Sequence, residues 1–303
     1  MRKTAVDRVN AWLVDRARSG RSWIDARSYL DGLGTRLIRL RDSFDDAKVS
    51  VDYTDPATIE AYLLAYFPHY IASAVYSLEI LPAERYRQYL SRGFKIVFVG
   101  GGPLPEVVAL AEVLESYTQN QAAIEVVLID VHAATWRAAA RDAIALARGM
   151  NPHLNINLET IVHDVRQPFD ERVERAIASS DIVMLQNCLN EVVKSSAFDQ
   201  NCIALAECLR GSGAFIVCDL HKYDAAFYAV EKIRVLFARR LKMLREFTPV
   251  GDRYSPFEKP PRLLFWNLYG AKKAAGDSSY RYDFEDGRVP RRYLYSSAAI
   301  WEK

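Results

Sequence analysis

A run of β-branched and aromatic residues, Lys95-Ile-Val-Phe-Val99, meets three consecutive glycines, Gly100, Gly101 and Gly102, and then Pro103-Leu-Pro105. The apolar run reads as a buried strand. Pro105-Glu106 then opens an alternating apolar helix that ends near Glu115. Pro105 suits the first helical position, where its missing N–H would have no intrahelical partner. Strand, glycine turn and helix in this order begin a nucleotide-binding α/β domain, although an ordinary structural turn uses the same residue types. The glycines admit positive φ and let a ligand approach the backbone, because no Cβ stands in the way. The spelling narrows the choice. Counted from Gly100, the pattern G-x-G-x-x-G is met at Gly100 and Gly102 but has Pro105 in its last place. Pro103 and Pro105 also remove two N–H donors from a turn that would cradle a pyrophosphate. Such a loop suits a ligand without phosphate.

The alternation of strand and helix then repeats. Strands are expected at Glu125–Asp130, Asn155–Val162, Asp181–Gln186 and Ala214–Asp219, with a helix at Thr135–Arg148 after the first of these. Five strands separated by helical stretches predict a doubly wound, mostly parallel sheet. Ligands of such sheets sit at the carboxyl ends of the strands. Asp130, Asp164, Asn187 and Asp219 all fall at such ends. Beyond them, a basic amphipathic helix is expected at Tyr223–Phe247 and a Pro-rich connection at Thr248–Pro261. Two further strands, Arg262–Tyr269 and Arg292–Trp301, are expected to pair antiparallel at one sheet edge. The expected fold class is therefore α/β, a Rossmann-like seven-stranded sheet with antiparallel C-terminal strands and an N-terminal helical domain.

The N-terminal part reads as helices. Val6, Val9, Trp12 and Leu13 keep helical spacing, as do Leu33, Leu37, Leu40 and Phe44. No chemistry shows there, so a cap or an oligomer surface, including that of a homodimer, is expected. Asp55-Pro56 starts a helix as N-cap and first residue. That helix breaks at Phe67-Pro68, and a second runs Tyr70–Leu81. Tyr62, Tyr66, Phe67, Tyr70 and Tyr76 form either core packing or an aromatic wall over a substrate. Glu79, the lone charge of the second helix, is either a polar-face residue or a catalytic carboxylate. The domains expected are residues 1–90, a helical cap or substrate domain, and 91–303, a Rossmann-like catalytic domain.

Bulk properties exclude several classes. A chain of 303 residues, half of them hydrophobic and a quarter charged, is ordinary for a globular protein. The longest apolar run, around Tyr62–Ile71, is interrupted by Pro68 and His69 and is too short to span a bilayer. The first residues lead into no apolar signal core, so a cytoplasmic location without membrane attachment is expected. Cys188, Cys202, Cys208 and Cys218 sit at no zinc or iron–sulfur spacing, so no metal is expected. Charge is uneven: residues 1–48 carry net +4, 49–220 net −9 and 221–303 net +7. The acidic centre suits either an anionic substrate approached by basic flanks or solvated helix faces. No Lys/Arg cluster is dense enough to demand nucleic acid.

Five parallel strands, a helix and a terminal antiparallel pair resemble the class I S-adenosylmethionine-dependent methyltransferases, from about Phe94 to the C-terminus. Val99-Gly-Gly-Gly-Pro103 is similar to that family's glycine-rich first motif. The resemblance implies S-adenosylmethionine as cofactor, with Gly100, Gly101 and Gly102 at its methionine moiety. It also implies Asp130, with Val131 beside it, at the ribose, and Asp164 with Val165 at the adenine. Asp130 as a helix cap and Asp164 as a turn residue are the alternatives. Gln186-Asn-Cys-Leu-Asn-Glu191 occupies the position flanking the transferred group. No Asn-Pro-Pro-Tyr or Asp-Pro-Pro-Tyr stands there, which argues against amino-methylation of adenine or cytosine bases. Phe-Val-Gly-Gly-Gly-Pro-Leu-Pro105 also resembles nicotianamine synthases, which transfer the aminocarboxypropyl arm of the same cofactor. A weaker resemblance to ribosomal-RNA-associated methyltransferases keeps an RNA-bound role as a third reading.

Methyl transfer is an in-line displacement, so the enzyme's main work is to position the nucleophile. Asn187 and Glu191 lie four residues apart and would share a face if a helix began there. Glu191 is placed to take a proton or orient an amine, or it is a plain first-turn carboxylate. His221 and Tyr223, past the fifth strand, are the other candidates for substrate contact. The expected substrate is a small molecule enclosed between the sheet and the N-terminal helices.

Overall fold

The computed structural model describes residues 4–19, 28–29, 32–33, 36–37, 39–40, 51–118, 120–220, 224–250 and 296–303. The chain divides into two compact units, one holding Met1–Ala72 and the other Ser73–Asp252 with Tyr295–Lys303.

In the first unit, α1 (Ala5–Arg18) starts at a capping box. Thr4 accepts the Asp7 N–H, and the Asp7 side chain takes the Thr4 N–H in return. Ala5, Val9, Leu13 and Ala17 are buried at a four-residue spacing, one stripe of the helix. Asp55 caps α2 (Pro56–Ala65) with Pro56 at its first position, as expected. The chain breaks at Tyr66, whose φ of −122° leaves the helical range, and α3 (Phe67–Glu79) begins with Pro68 in its first turn. Tyr66, Phe67 and Tyr70 are almost fully buried, and successive rings of Tyr62, Tyr66 and Tyr70 lie 5.3 and 5.7 Å apart. Within this unit the aromatic residues pack on one another.

The second unit continues with α4 (Ala83–Ser91), β1 (Phe94–Val99), α5 (Pro105–Leu114), β2 (Ala122–Ile129), α6 (Ala133–Met150) and β3 (Leu154–Ile161). Then come α7 (Glu171–Ala178), β4 (Ile182–Gln186), α8 (Leu189–Val192), α9 (Phe198–Cys208), β5 (Ala214–Leu220), α10 (Asp224–Phe237), β6 (Lys242–Val250) and β7 (Ser296–Glu302). The strands form one Rossmann-like seven-stranded sheet in the order β3-β2-β1-β4-β5-β7-β6. β1 to β5 are parallel, and β7 runs antiparallel to both β5 and β6. Both faces are buried. Val97, Val99, Val127, Ile129, Val183, Leu185, Phe215 and Val217 join the core formed with α7 to α10. The alternate residues Phe94, Ile96, Phe98, Val126 and Leu128 are equally covered, with Tyr86 and Tyr89 of α4 set against Phe94. Trp301 of β7 lies 5.7 Å from Phe215 and 5.5 Å from Phe237, which ties the antiparallel strand to β5 and α10. No helix among the described residues is long and apolar enough to cross a membrane.

One expectation needs correction. The helix predicted over Tyr223–Phe247 ends at Phe237, and Lys242–Val250 is instead the edge strand β6. Phe237, Leu241, Leu244 and Phe247 keep helical spacing, which hides the strand. The open edge of β7 supplies a ladder that local pattern does not register, and Pro249 is tolerated because β6 is an edge. The antiparallel partner of the last strand is therefore 242–250. The strand expected at Arg262–Tyr269 lies outside the described residues.

The lower end of the sheet is pinned by Asp181, which is fully buried. Its carboxylate accepts the Lys95 N–H at 3.0 Å and pairs with Arg92 at 2.8 Å and Arg210 at 3.1 Å. Asp181→Ala strands the Lys95 N–H but leaves two half-exposed arginines that can reach water. The expected loss is therefore about 2 kcal/mol rather than the larger cost of an isolated buried charge. A chemical-denaturation midpoint checks it.

Candidate functional site

β1 leads outward to β2 and β3, and the chain then returns to lay β4 on the other side of β1. The connections after β1 and β4 therefore diverge and leave a crevice at the carboxyl ends of the strands. The glycine loop enters this crevice from one side and Asn187–Glu191 from the other.

The loop is held tightly. Gly100 has φ +67° and donates its N–H to the Ile129 carbonyl at 2.8 Å. A Cβ on Gly100 would stand 2.9 Å from the Cys188 sulfur. Gly102, at φ +48°, donates its N–H to Asp130 Oδ2 at 3.1 Å. The Leu104 N–H goes to the Gly101 carbonyl and the Val107 N–H to the Leu104 carbonyl. The Glu106 N–H goes to its own carboxylate. Pro103 and Pro105 have none. In residues 100–107 only the Gly101 N–H lacks a partner among the described residues, so the loop as folded is poor in donors for a phosphate. Leu104 and Asn187, one on each side of the crevice, are non-glycine residues in the left-handed region, with φ of 61° and 54°.

Asp130 is buried at the end of β2 and accepts two backbone N–H groups, from Gly102 at 3.1 Å and from His132 at 2.6 Å. It thus links the glycine loop to the start of α6. Burial pushes its pKa up, against these hydrogen bonds. Val131 beside it is exposed. Asp164 lies past the end of β3 in a turn, where it accepts the Arg166 N–H at 3.0 Å and holds the guanidinium at two distances of 2.8 Å. That bond to Arg166 keeps the Asp164 pKa below its ordinary value. Val165 packs at the margin of the core.

The connection after β4 is fastened to β5. Asn187 N–H donates to the Cys218 carbonyl and Leu189 N–H to Asp219 Oδ2, each at 2.8 Å. The helix starts only at Leu189, so Asn187 precedes it and shares no helical face with Glu191. Both polar atoms of the Asn187 amide are shielded from solvent and have no hydrogen-bond partner among the described residues. Burial pushes Glu191 up to about 7, with repulsion from Asp219 and Asp130 adding to it and Arg166 opposing it. The structure therefore brings Glu191, Asp130 and Asp219 within electrostatic reach of one another. Glu79 is not among them; its electrostatic neighbours include Glu112, on the last turn of α5, and Tyr86 of α4. His221 and Tyr223 lie outside the described residues.

Two residues escaped sequence reasoning. Glu106, in the first turn of α5, is 2% exposed and joins the acidic group: burial raises the Cys188 thiol, and Glu191, Asp219, Asp130 and Glu106 add to it. The sign to look for was an acid near the start of the otherwise apolar helix Pro105–Leu114. Asn201 of α9 donates to the Val165 and Gln167 carbonyls at 2.9 and 2.8 Å and accepts the Phe169 N–H at 2.9 Å. It fixes the loop that carries Asp164. Asn201→Ala is expected to loosen that loop, with amide exchange at residues 165–169 faster by about tenfold or more, since roughly 1–3 kcal/mol of bonding is lost. Unchanged exchange there would show that the loop holds itself.

Among the described residues no group of three or more His, Cys, Asp or Glu is arranged to hold a metal ion. The crevice is acidic, with Asp130, Glu191 and Asp219 within electrostatic reach of one another. Arg166, the cation that acts on Glu191, is itself held by Asp164.

No family model matches the chain, and no curated protein matches it. Solved structures resemble it at low identity. The CurJ carbon methyltransferase is 14% identical over 90% of this chain and 67% of its own, with a TM-score of 0.41. The mitomycin 7-O-methyltransferase MmcR is 13% identical over 68% of this chain and 59% of its own, at 0.40. The CMeT domain of the citrinin polyketide synthase is 15% identical over 90% of this chain, at 0.37, and the chain spans 65% of its length. At these values the activity rests on the chemistry of the site itself.

Proposed function

We propose that this chain is an S-adenosylmethionine-dependent methyltransferase acting on a small molecule. The observation that carries the reading is the pairing of a donor-poor glycine loop with buried carboxylates across one crevice. A dinucleotide or a nucleoside triphosphate needs N–H donors and positive charge for its phosphates. An adenosyl group bearing a cationic amino-acid arm needs close backbone approach and negative charge. Gly100, Gly101 and Gly102 would hold the methionine arm, Asp130, with Val131 beside it, the ribose hydroxyls, and Asp164 and Val165 the adenine. When bound, S-adenosylmethionine supplies a methyl group already activated on a sulfonium.

The remaining work falls to the chain's own side chains. The Asn187 amide, without a hydrogen-bond partner among the described residues and fastened to β5 through its backbone, orients the acceptor. Glu191, pushed up to about 7, is matched to removing a proton from an amine or hydroxyl near neutrality. The carboxylates around it favour an acceptor that arrives as a cation, such as an amine, over an anionic one.

Incubation with S-adenosylmethionine and a panel of small amines and alcohols tests this. S-adenosylhomocysteine as product reports methyl transfer. Methylthioadenosine in its place reports transfer of the aminocarboxypropyl arm, the alternative that the Gly-Pro-Leu-Pro spelling suggests. An RNA-bound, non-catalytic role would give neither product and a salt-sensitive affinity for RNA.

A further inference from the structure

The buried carboxylate of Glu106 has no part in the chemistry described so far. One of its oxygens turns back onto its own N–H, while Oε2 is shielded from solvent and has no hydrogen-bond partner among the described residues. Its electrostatic surroundings are acids and thiols: Asp130 after β2, Cys188 after β4 and Cys218 on β5, with Asp219 acting on both thiols and Glu191 on Cys188. A carboxylate buried among acids destabilises a fold unless something supplies the opposite charge. A cation held against Oε2 would favour its ionised form, and an organic ligand can bring one. A sulfonium carries no N–H and cannot donate to Oε2, whereas an ammonium has three donors.

We propose that Glu106 is the seat of a primary ammonium group of the bound ligand, namely the α-ammonium of the cofactor's methionine arm. The proposal rests on the S-adenosylmethionine reading above. Glu106 follows Gly102 by four residues, so the same loop and first helical turn hold the arm and neutralise its charge. The pKa of the ligand-free carboxylate, pushed up to about 8 by burial, adds a signature: ion pairing ionises Glu106 and releases a proton near pH 7.

Calorimetric titration of wild type and Glu106→Gln with S-adenosylhomocysteine, and with its analogue lacking the α-amino group, tests this. In wild type, loss of the amino group is expected to weaken binding by roughly 10- to 100-fold, as for a charge-assisted hydrogen bond. Glu106→Gln should bind S-adenosylhomocysteine about as weakly as wild type binds the analogue, should no longer distinguish the two, and should release no proton. A variant that keeps the wild-type ratio overturns the proposal while leaving the cofactor reading intact. Failure of wild type to bind S-adenosylhomocysteine at all rejects that reading, and the proposal with it. The ligand-free variant should melt higher than wild type, because a neutral amide removes a buried acid. A lower melting temperature would mark Glu106 as structural and count against the proposal. Should Glu106→Gln fail to fold, Glu106→Met, without charge and close in volume, carries the same comparison.

Discussion

Glu191→Gln is expected to lower kcat by about 10²- to 10⁴-fold, the range for loss of a positioned general base, with S-adenosylhomocysteine affinity within a few-fold of wild type. The argument is one of placement and protonation. α8 is anchored by the Asp219 carboxylate to the Leu189 N–H, so Glu191 projects from a fixed turn and not from a loose loop. Its pKa, pushed up to about 7, leaves the base form growing through neutrality. The rate should therefore rise with pH and level off above about 7, and this rising limb should vanish in the variant. Stability moves the other way. A carboxyl whose folded pKa lies above its unfolded one costs stability as pH climbs from the ordinary carboxylate range to about 7. Glu191→Gln removes that cost, so it should melt higher at pH 8 and no differently at pH 4. A pH–rate profile alongside melting curves separates the catalytic from the structural contribution.

Gly100→Val is expected to abolish cofactor binding and to lower stability by about 2–4 kcal/mol. Two independent causes act at one residue. The φ of +67° lies in the left-handed region, where a β-branched side chain is strongly disfavoured. The Cβ would also stand 2.9 Å from the sulfur of Cys188, itself buried at the N-cap of α8. Gly100→Ala retains the first cause in weaker form. Placing it in a Cys188→Ala background relieves the second, so the double variant should recover part of the lost stability and little of the binding. Full recovery of binding would mean that the loop tolerates a different backbone and that its close approach to the ligand is unimportant.

The sheet was legible because its strands are local objects. Runs such as Ile182–Gln186 and Ala214–Leu220 are apolar, β-branched and bounded by turns, and their parallel order follows from the helices between them. The strand-end residues were legible for the same reason, since a strand that ends also says where its next residue goes. What escaped depends on distant partners. β6 carries a helical apolar spacing and becomes a strand because β7 offers it an edge. Glu106 occupies a first-turn position where an acid is ordinarily a solvated partner of the helix dipole. Only the covering of that turn makes it a buried charge. Asn187 and Glu191 were paired by a helical spacing that does not exist, since Asn187 stands before the helix in a left-handed conformation. Their shared crevice comes from β4 returning beside β1, a property of topology. Asn201, thirty-two residues from the amide it receives, carries no local sign of its role.

The account stands on one claim, that the crevice between the glycine loop and the β4 connection takes an adenosyl ligand with a charged amino-acid arm. A crystal structure with S-adenosylhomocysteine bound tests it most directly. The predicted result is a ligand whose amino-acid arm lies along Gly100–Gly102 with its ammonium on Glu106, and whose ribose hydroxyls meet Asp130. A ligand bound elsewhere, or one that touches neither the glycines nor Asp130, would contradict it.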